Sequence, residues 1–133
     1  MLLTGHYCLV AMANSFHGAL EDRDYASLLA RFEGDAELVS DLVDLLLDDY
    51  PRQLSALSAA ITEGHEKLAE RIAHTIKGSV ANFAAHNAVE IAQEIELSAR
   101  DGDLANAQSS LTRLEEELGR VRNELQQIMA NRS

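Results

Sequence analysis

Apolar residues recur at intervals of three and four along most of the chain, a helical period throughout. Leu28, Leu29 and Phe32 mark a short first helix over Tyr25 to Phe32, which Gly34 stops. Asp35 then caps a long helix whose core stripe is Val39, Leu42, Val43, Leu46, Tyr50, Leu54, Leu57 and Ile61. Glu37, Asp41, Asp44 and Asp48 fall on another, solvated face. Pro51 removes one backbone hydrogen bond, so a kink near Leu47 to Pro51 is expected rather than a break, since the stripe continues beyond it. Gly64 ends this helix, and a third runs from near His65 to about Ala85 with Leu68, Ile72, Ile76, Val80 and Phe83 inward. After a tight connection at Ala85 to Asn87, a fourth buries Ala88, Ile91, Ala92, Ile95 and Ala99 and stops at Asp101 and Gly102. Asp103 caps the last, whose seam is Leu104, Ala107, Leu111, Leu114, Leu118, Val121, Leu125 and Ile128. Short connections make successive helices antiparallel neighbours. The pattern therefore predicts an all-α fold: an antiparallel up-down-up-down four-helix bundle with a short additional N-terminal helix.

Composition narrows the class. A length of 133 residues suits one domain, and neither a linker nor a repeat divides it. The bundle is assigned to residues 21–133, with residues 1–20 as a leader of unknown role. The single proline and the absence of tryptophan, beside abundant Ala, Leu and Glu, agree with helices. A net charge of -11 repels a phosphate backbone and argues against nucleic acid as partner. Cys8 is alone, so no internal disulfide forms and a cytoplasmic setting is expected. The leader's apolar run, Tyr7 to Ala13, ends in an A-x-A tripeptide but has no basic region before it. It is also far shorter than the roughly 20 residues that span a bilayer, and no membrane insertion is expected.

Chemistry concentrates on the third helix. Arg71, His74, Lys77, Gly78 and Ala81 share one face at spacings of three and four, off the apolar stripe. An unperturbed imidazole, with a pKa of about 6.5, is largely neutral and nucleophilic near neutral pH. Phosphorylating one ring nitrogen would place negative oxygens beside the helix, where Lys77, one turn away, balances them and Arg71 contributes from the other side. Gly78 sits mid-helix at a cost of roughly 1 kcal/mol relative to alanine, and with Ala81 it clears bulk beside the imidazole for an approaching surface. Two antiparallel helices joined near residue 85 bring residue 96 level with residue 74. Glu96 is thereby placed to accept one imidazole N–H, fix the tautomer and leave the other nitrogen free to attack phosphorus. Arg100, one turn on, would meet a phosphate or an acidic partner.

The run Ala73-His74-Thr75-Ile76-Lys77-Gly78-Ser79-Val80-Ala81-Asn82-Phe83 resembles the H-x-x-K-G signature of histidine-containing phosphotransfer domains of two-component phosphorelays. The likeness extends from about Tyr25 to the last helix, including the Arg100 to Asp103 junction. It implies His74 as phosphoacceptor, Lys77 as the residue neutralising the phosphate, Gly78 as the space-making position and a Gln or Glu on the following helix, where Glu96 stands. Ala84 departs from the family's usual glycine near the end of the third helix, but alanine is still small. The resemblance further implies a phosphocarrier rather than an enzyme, with receiver domains and a hybrid sensor histidine kinase as partners. No cofactor is expected on this chain; Mg²⁺ is expected in the partner receiver. Ala73 and Ile76, beside the histidine, are docking candidates together with Ala81.

Other readings are weaker. A paired Glu-x-x-His repeat, the mark of a di-metal bundle, does not occur; Glu70, four residues before His74, supplies one carboxylate, too few ligands for a metal site. No Gly-rich phosphate loop supports a self-contained kinase. His65 and His86 lie at predicted helix ends, where capping or solvent explains them, and His6 and His17 fall outside the bundle helices. The rival to a phosphocarrier is a scaffolding bundle, or a domain that keeps the fold without transferring phosphate; chemistry at His74 separates them.

Overall fold

A computed structural model describes residues 18–132. The leader's apolar run and Cys8, His6 and His17 lie outside the described residues. Among the described residues five helices follow one another: α1 (Tyr25–Arg31), α2 (Ala36–Thr62), α3 (Glu66–Ala81), α4 (His86–Arg100) and α5 (Leu104–Ala130). Asp24, Asp35 and Asp103 start α1, α2 and α5 by accepting the backbone N–H of Ser27, Leu38 and Asn106. The helix ends share one device, in which an N–H beyond the helix reaches back five residues: Gly34 to the Leu29 carbonyl, His65 to Ala60, Ala85 to Val80 and Asp103 to Ser98. The residue before each of these donors has positive φ, namely Glu33, Gly64, Ala84 and Gly102. This turn shortens α3, which stops at Ala81 rather than near Ala85.

The helices pack in a ring, α2 on α3, α3 on α4, α4 on α5 and α5 back on α2. Cross-links at Glu70–Arg100 and His74–Glu96, at Ser98–Asn106 and Glu94–Ser110, run in opposite senses along each pair and show antiparallel neighbours. Helices α2 and α5 have 27 residues each, whereas α3 has 16 and α4 has 15. The long pair therefore overreaches the short pair by about 17 Å. At that end α1 and the segment before it cover Phe83 and Ala84: Phe32 packs on Phe83 with ring centroids 5.6 Å apart, and Glu21 N–H bonds the Ala84 carbonyl. Ala19 and Leu20, assigned to the leader from sequence, are buried, and their N–H groups donate to the Glu124 carboxylate at 2.6 and 3.0 Å.

Helix α2 runs unbroken through Pro51, which sits on its exposed face. The stripe expected for α3 is rotated: Leu68 is 39% exposed and Ile72 only half-buried, while Ala69, Ala73, Ile76, Val80 and Phe83 are in the core. Alanines explain the rotation. Ala69 and Ala73 on α3, with Ala88, Ala92 and Ala99 on α4, let these axes approach closely, and close approach buries more contact than one large side chain returns. Helix α5 buries its expected seam from Ala107 onward, with Leu104 half-buried, and also Ser110 and Glu117. Among the described residues no helix is long and apolar enough to cross a membrane.

Candidate functional site

Because α3 turns its alanines inward, the opposite face carries His74 into solvent. The imidazole is 66% exposed, whereas the Glu96 side chain beneath it on α4 is only 8% exposed. His74 Nδ1 lies 3.1 Å from Glu96 Oε2. The level expected from the turn near residue 85 is thus the level found. Arg100 donates from Nη2 to the same oxygen at 3.3 Å and from Nε to Glu70 Oε2 at 2.7 Å. Lys77 Nζ stands 2.8 Å from Glu96 Oε1, near enough for an ion pair but not aimed along a hydrogen bond. Oε1 is consequently compensated by the Lys77 charge rather than by a well-aligned hydrogen bond.

The charge state of Glu96 follows from opposed influences. Burial pushes its carboxyl pKa up, but Lys77 and then His74 outweigh burial and hold it below the ordinary carboxylate value. An ionised carboxylate only accepts, so the hydrogen between Glu96 and the ring belongs to Nδ1. Nε2 then carries the lone pair, and no protein group engages it among the described residues.

The surroundings of the ring are open. A Cβ added at Gly78 would meet nothing within 4 Å, and Ala81, one turn further, is exposed. Thr75 and Ser79 bond back to the carbonyls of Arg71 and Thr75, each at 3.1 Å, so their hydroxyls are satisfied within the helix. Arg71 is exposed one turn before His74 and makes no ion pair among the described residues.

Two docking candidates are corrected. Ala73 and Ile76 are 0% and 1% exposed, because one residue back and two residues on from an outward His74 lie about 100° and 200° around the helix and face the bundle. The large apolar side chains exposed among the described residues are Leu38 and Leu45 on α2, Leu68 on α3 and Leu97 on α4. Arg100 is likewise not a free cation, being shared by Glu70 and Glu96. Glu70 was considered from sequence only as a metal ligand; the register that levels 74 with 96 also levels 70 with 100, and that signal identifies its true partner. His65 and His86 sit at the starts of α3 and α4, away from this cluster, with Glu63 and Glu21 as their respective neighbours.

A family described as "Hpt domain" matches residues 41–124, more than half of the chain. Among solved structures, histidine-containing phosphotransfer protein B from Pseudomonas aeruginosa PAO1 is 30% identical with a TM-score of 0.76, over 86% of this chain and 97% of that one. A histidine-containing phosphotransfer protein from maize shares the fold at 21% identity and a TM-score of 0.74, over 93% and 94% of the two chains. The HPT domain of a sensor hybrid histidine kinase from Shewanella does so at 18% identity and a TM-score of 0.69, over 83% and 95%. No curated protein matches the chain.

Proposed function

Because the chain belongs to the Hpt domain family, we propose that it relays a phosphoryl group between receiver-domain aspartates in a two-component phosphorelay, with His74 as the carrier. One observation supports His74 above all: an exposed imidazole whose Nδ1 is tied to a buried, ionised carboxylate and whose Nε2 is free.

The chemistry balances on this chain's residues. The Nε2 lone pair attacks the phosphorus of an aspartyl phosphate in line; the N–P bond forms, the acyl P–O bond breaks and the partner's carboxylate is regenerated. The ring keeps its Nδ1 hydrogen and becomes cationic, and Glu96 Oε2, already 3.1 Å away, compensates that charge without rearrangement. Lys77, whose ammonium has three N–H donors, turns those not facing Glu96 to the phosphoryl oxygens, and Arg71 lends positive potential from the preceding turn. Return transfer to a second receiver reverses the same steps. Mg²⁺ belongs to the partner's aspartate site in this reading, and this chain is a carrier rather than an enzyme.

Gly78 and Ala81 keep the approach to Nε2 clear for the receiver. Apolar docking falls to exposed Leu45 and half-buried Leu42, which line a groove with Ser79 on the neighbouring α3 and Asn82 just past its end. A sensor kinase's receiver is the natural donor, in the cytoplasm, where such relays operate.

The test incubates wild-type protein and His74→Gln with phosphorylated receiver domains and Mg²⁺, with no other kinase present. Acid-labile, base-stable phosphate on wild type and none on the variant, with equal helicity, is the expected result. No transfer from a broad panel of receivers would overturn the reading.

A further inference from the structure

Glu70 lies one turn before His74 on α3 and has no part in the transfer step, yet it is the residue that holds Arg100. Arg100 Nε–H donates to Glu70 Oε2 at 2.7 Å, while Nη2 of the same guanidinium reaches Glu96 Oε2 at 3.3 Å. That oxygen is also the acceptor for His74 Nδ1 at 3.1 Å. The guanidinium is planar and rigid, so a bond at Nε fixes where Nη2 points. Arg100 is itself about half exposed, and without Glu70 its long side chain has no second anchor among the described residues.

Glu96 needs such an anchor. Lys77 pairs with Oε1 and the exposed imidazole with Oε2, and a third donor, on the same helix as Glu96, holds the carboxylate plane against rotation. The donor that does so from α4 is Arg100, four residues along the same helix. The charged groups around the cluster are His74 and Lys77 against Glu96, and Glu70, Glu96 and Asp101 against Arg100.

We propose that Glu70 is a positioning residue for phosphotransfer: by docking Arg100 it makes guanidinium and imidazole share Glu96 Oε2, which fixes the carboxylate plane and with it the orientation and tautomer of His74. This rests on His74 being the phosphoacceptor. A purely electrostatic role for Glu70 makes the opposite prediction, since removing its negative charge would favour an incoming phosphoryl group. Glu70→Gln separates the two, because the amide oxygen still accepts from Arg100 Nε–H while the charge is gone.

The experiment measures the initial rate of phosphoryl acceptance from a phosphorylated receiver domain by Glu70→Ala, Glu70→Gln, Arg100→Ala and the Glu70→Ala/Arg100→Ala pair, together with the ¹⁵N shifts of the His74 ring. Glu70→Ala is expected to slow acceptance about threefold to tenfold, Glu70→Gln to restore most of it, and the pair to be no slower than Arg100→Ala alone. The ring shifts in Glu70→Ala should move from a single Nδ1–H tautomer toward an average of two, with helicity unchanged. A wild-type rate with wild-type ring shifts in Glu70→Ala, or fully additive losses in the pair, would overturn the proposal. If wild type itself accepts no phosphate, the phosphocarrier reading fails, while the ring shifts still decide whether Glu70 fixes the tautomer.

Discussion

Lys77 Nζ stands 2.8 Å from Glu96 Oε1 and yet is not directed at it as a hydrogen-bond donor. The pair is coulombic: an ammonium faces a buried carboxylate oxygen without the alignment of a hydrogen bond. Better-aimed contact would stabilise the resting protein but commit the ammonium hydrogens to Glu96. Left as it is, Lys77 keeps those donors for phosphoryl oxygens arriving at the neighbouring ring. Resting stability and readiness for phosphate are thus set against each other in one contact.

Truncating Lys77 should expose that trade. Lys77→Ala leaves Glu96 charged, buried and with one fewer compensating cation, and should destabilise the unphosphorylated protein by about 1–3 kcal/mol. Adding Glu96→Gln to it removes the uncompensated charge and should recover most of the loss. Urea unfolding of the wild type, both single variants and the double variant gives the coupling directly. Additive losses would mean that the two side chains do not interact.

Gly78 separates folding from function in the opposite sense. An added methyl meets open space, so Gly78→Ala should gain about 0.5–1 kcal/mol from helix propensity alone. The same methyl stands on the face a receiver must approach, and phosphoryl acceptance should fall. A variant that is both more stable and fully active would show that the glycine serves no docking purpose.

The sequence told element order, caps and level well and rotation poorly. Helix starts were legible at Asp35 and Asp103, which carry their own N–H acceptors, though not at Asp24, and the His74–Glu96 pairing because distance from a turn fixes height in an antiparallel pair. Rotation of α3 was misjudged because size was taken for burial: Leu68 and Ile72 outweigh Ala69 and Ala73 in hydrophobicity, but close helix approach favours the alanines. The same error made Ala73 a docking candidate, while Ile76, already on the expected inward stripe, was made one by its closeness in sequence to His74. Ala84 was legible as a departure from glycine but not in its consequence, which is backbone: its φ is 52°.

That observation gives a matched pair of substitutions. Glu33 and Ala84 occupy equivalent positions in two of the helix-ending turns, with φ of 60° and 52°. Glycine relieves about 1–2 kcal/mol of left-handed strain and returns about 0.4–1 kcal/mol to the unfolded chain. At exposed Glu33 the balance favours Glu33→Gly by about 0.5–1 kcal/mol, or a few degrees in Tm. At buried Ala84 the methyl itself is worth about 0.8 kcal/mol, so Ala84→Gly should be close to neutral. Thermal melts of both variants decide the matter, and equal gains would mean that the Ala84 methyl is not packed.

The acid end of the stability profile should carry the mark of Glu96. Its carboxyl is held below the ordinary value of 4.5 because Lys77 and His74 outweigh the upward push of burial. A depressed folded pKa means that the unfolded chain takes up the proton first, so the stabilisation is complete above the unfolded pKa and is lost as pH falls through the folded one. Glu96→Gln has no such proton to bind. The wild type should therefore exceed Glu96→Gln in unfolding free energy at about pH 5, above the range in which the carboxylate takes up its proton, and the margin should close below that. Paired denaturant curves at about pH 7, 5, 4 and 3 measure it. A margin unchanged at about pH 3 would mean that the charge on Glu96 contributes nothing to the fold.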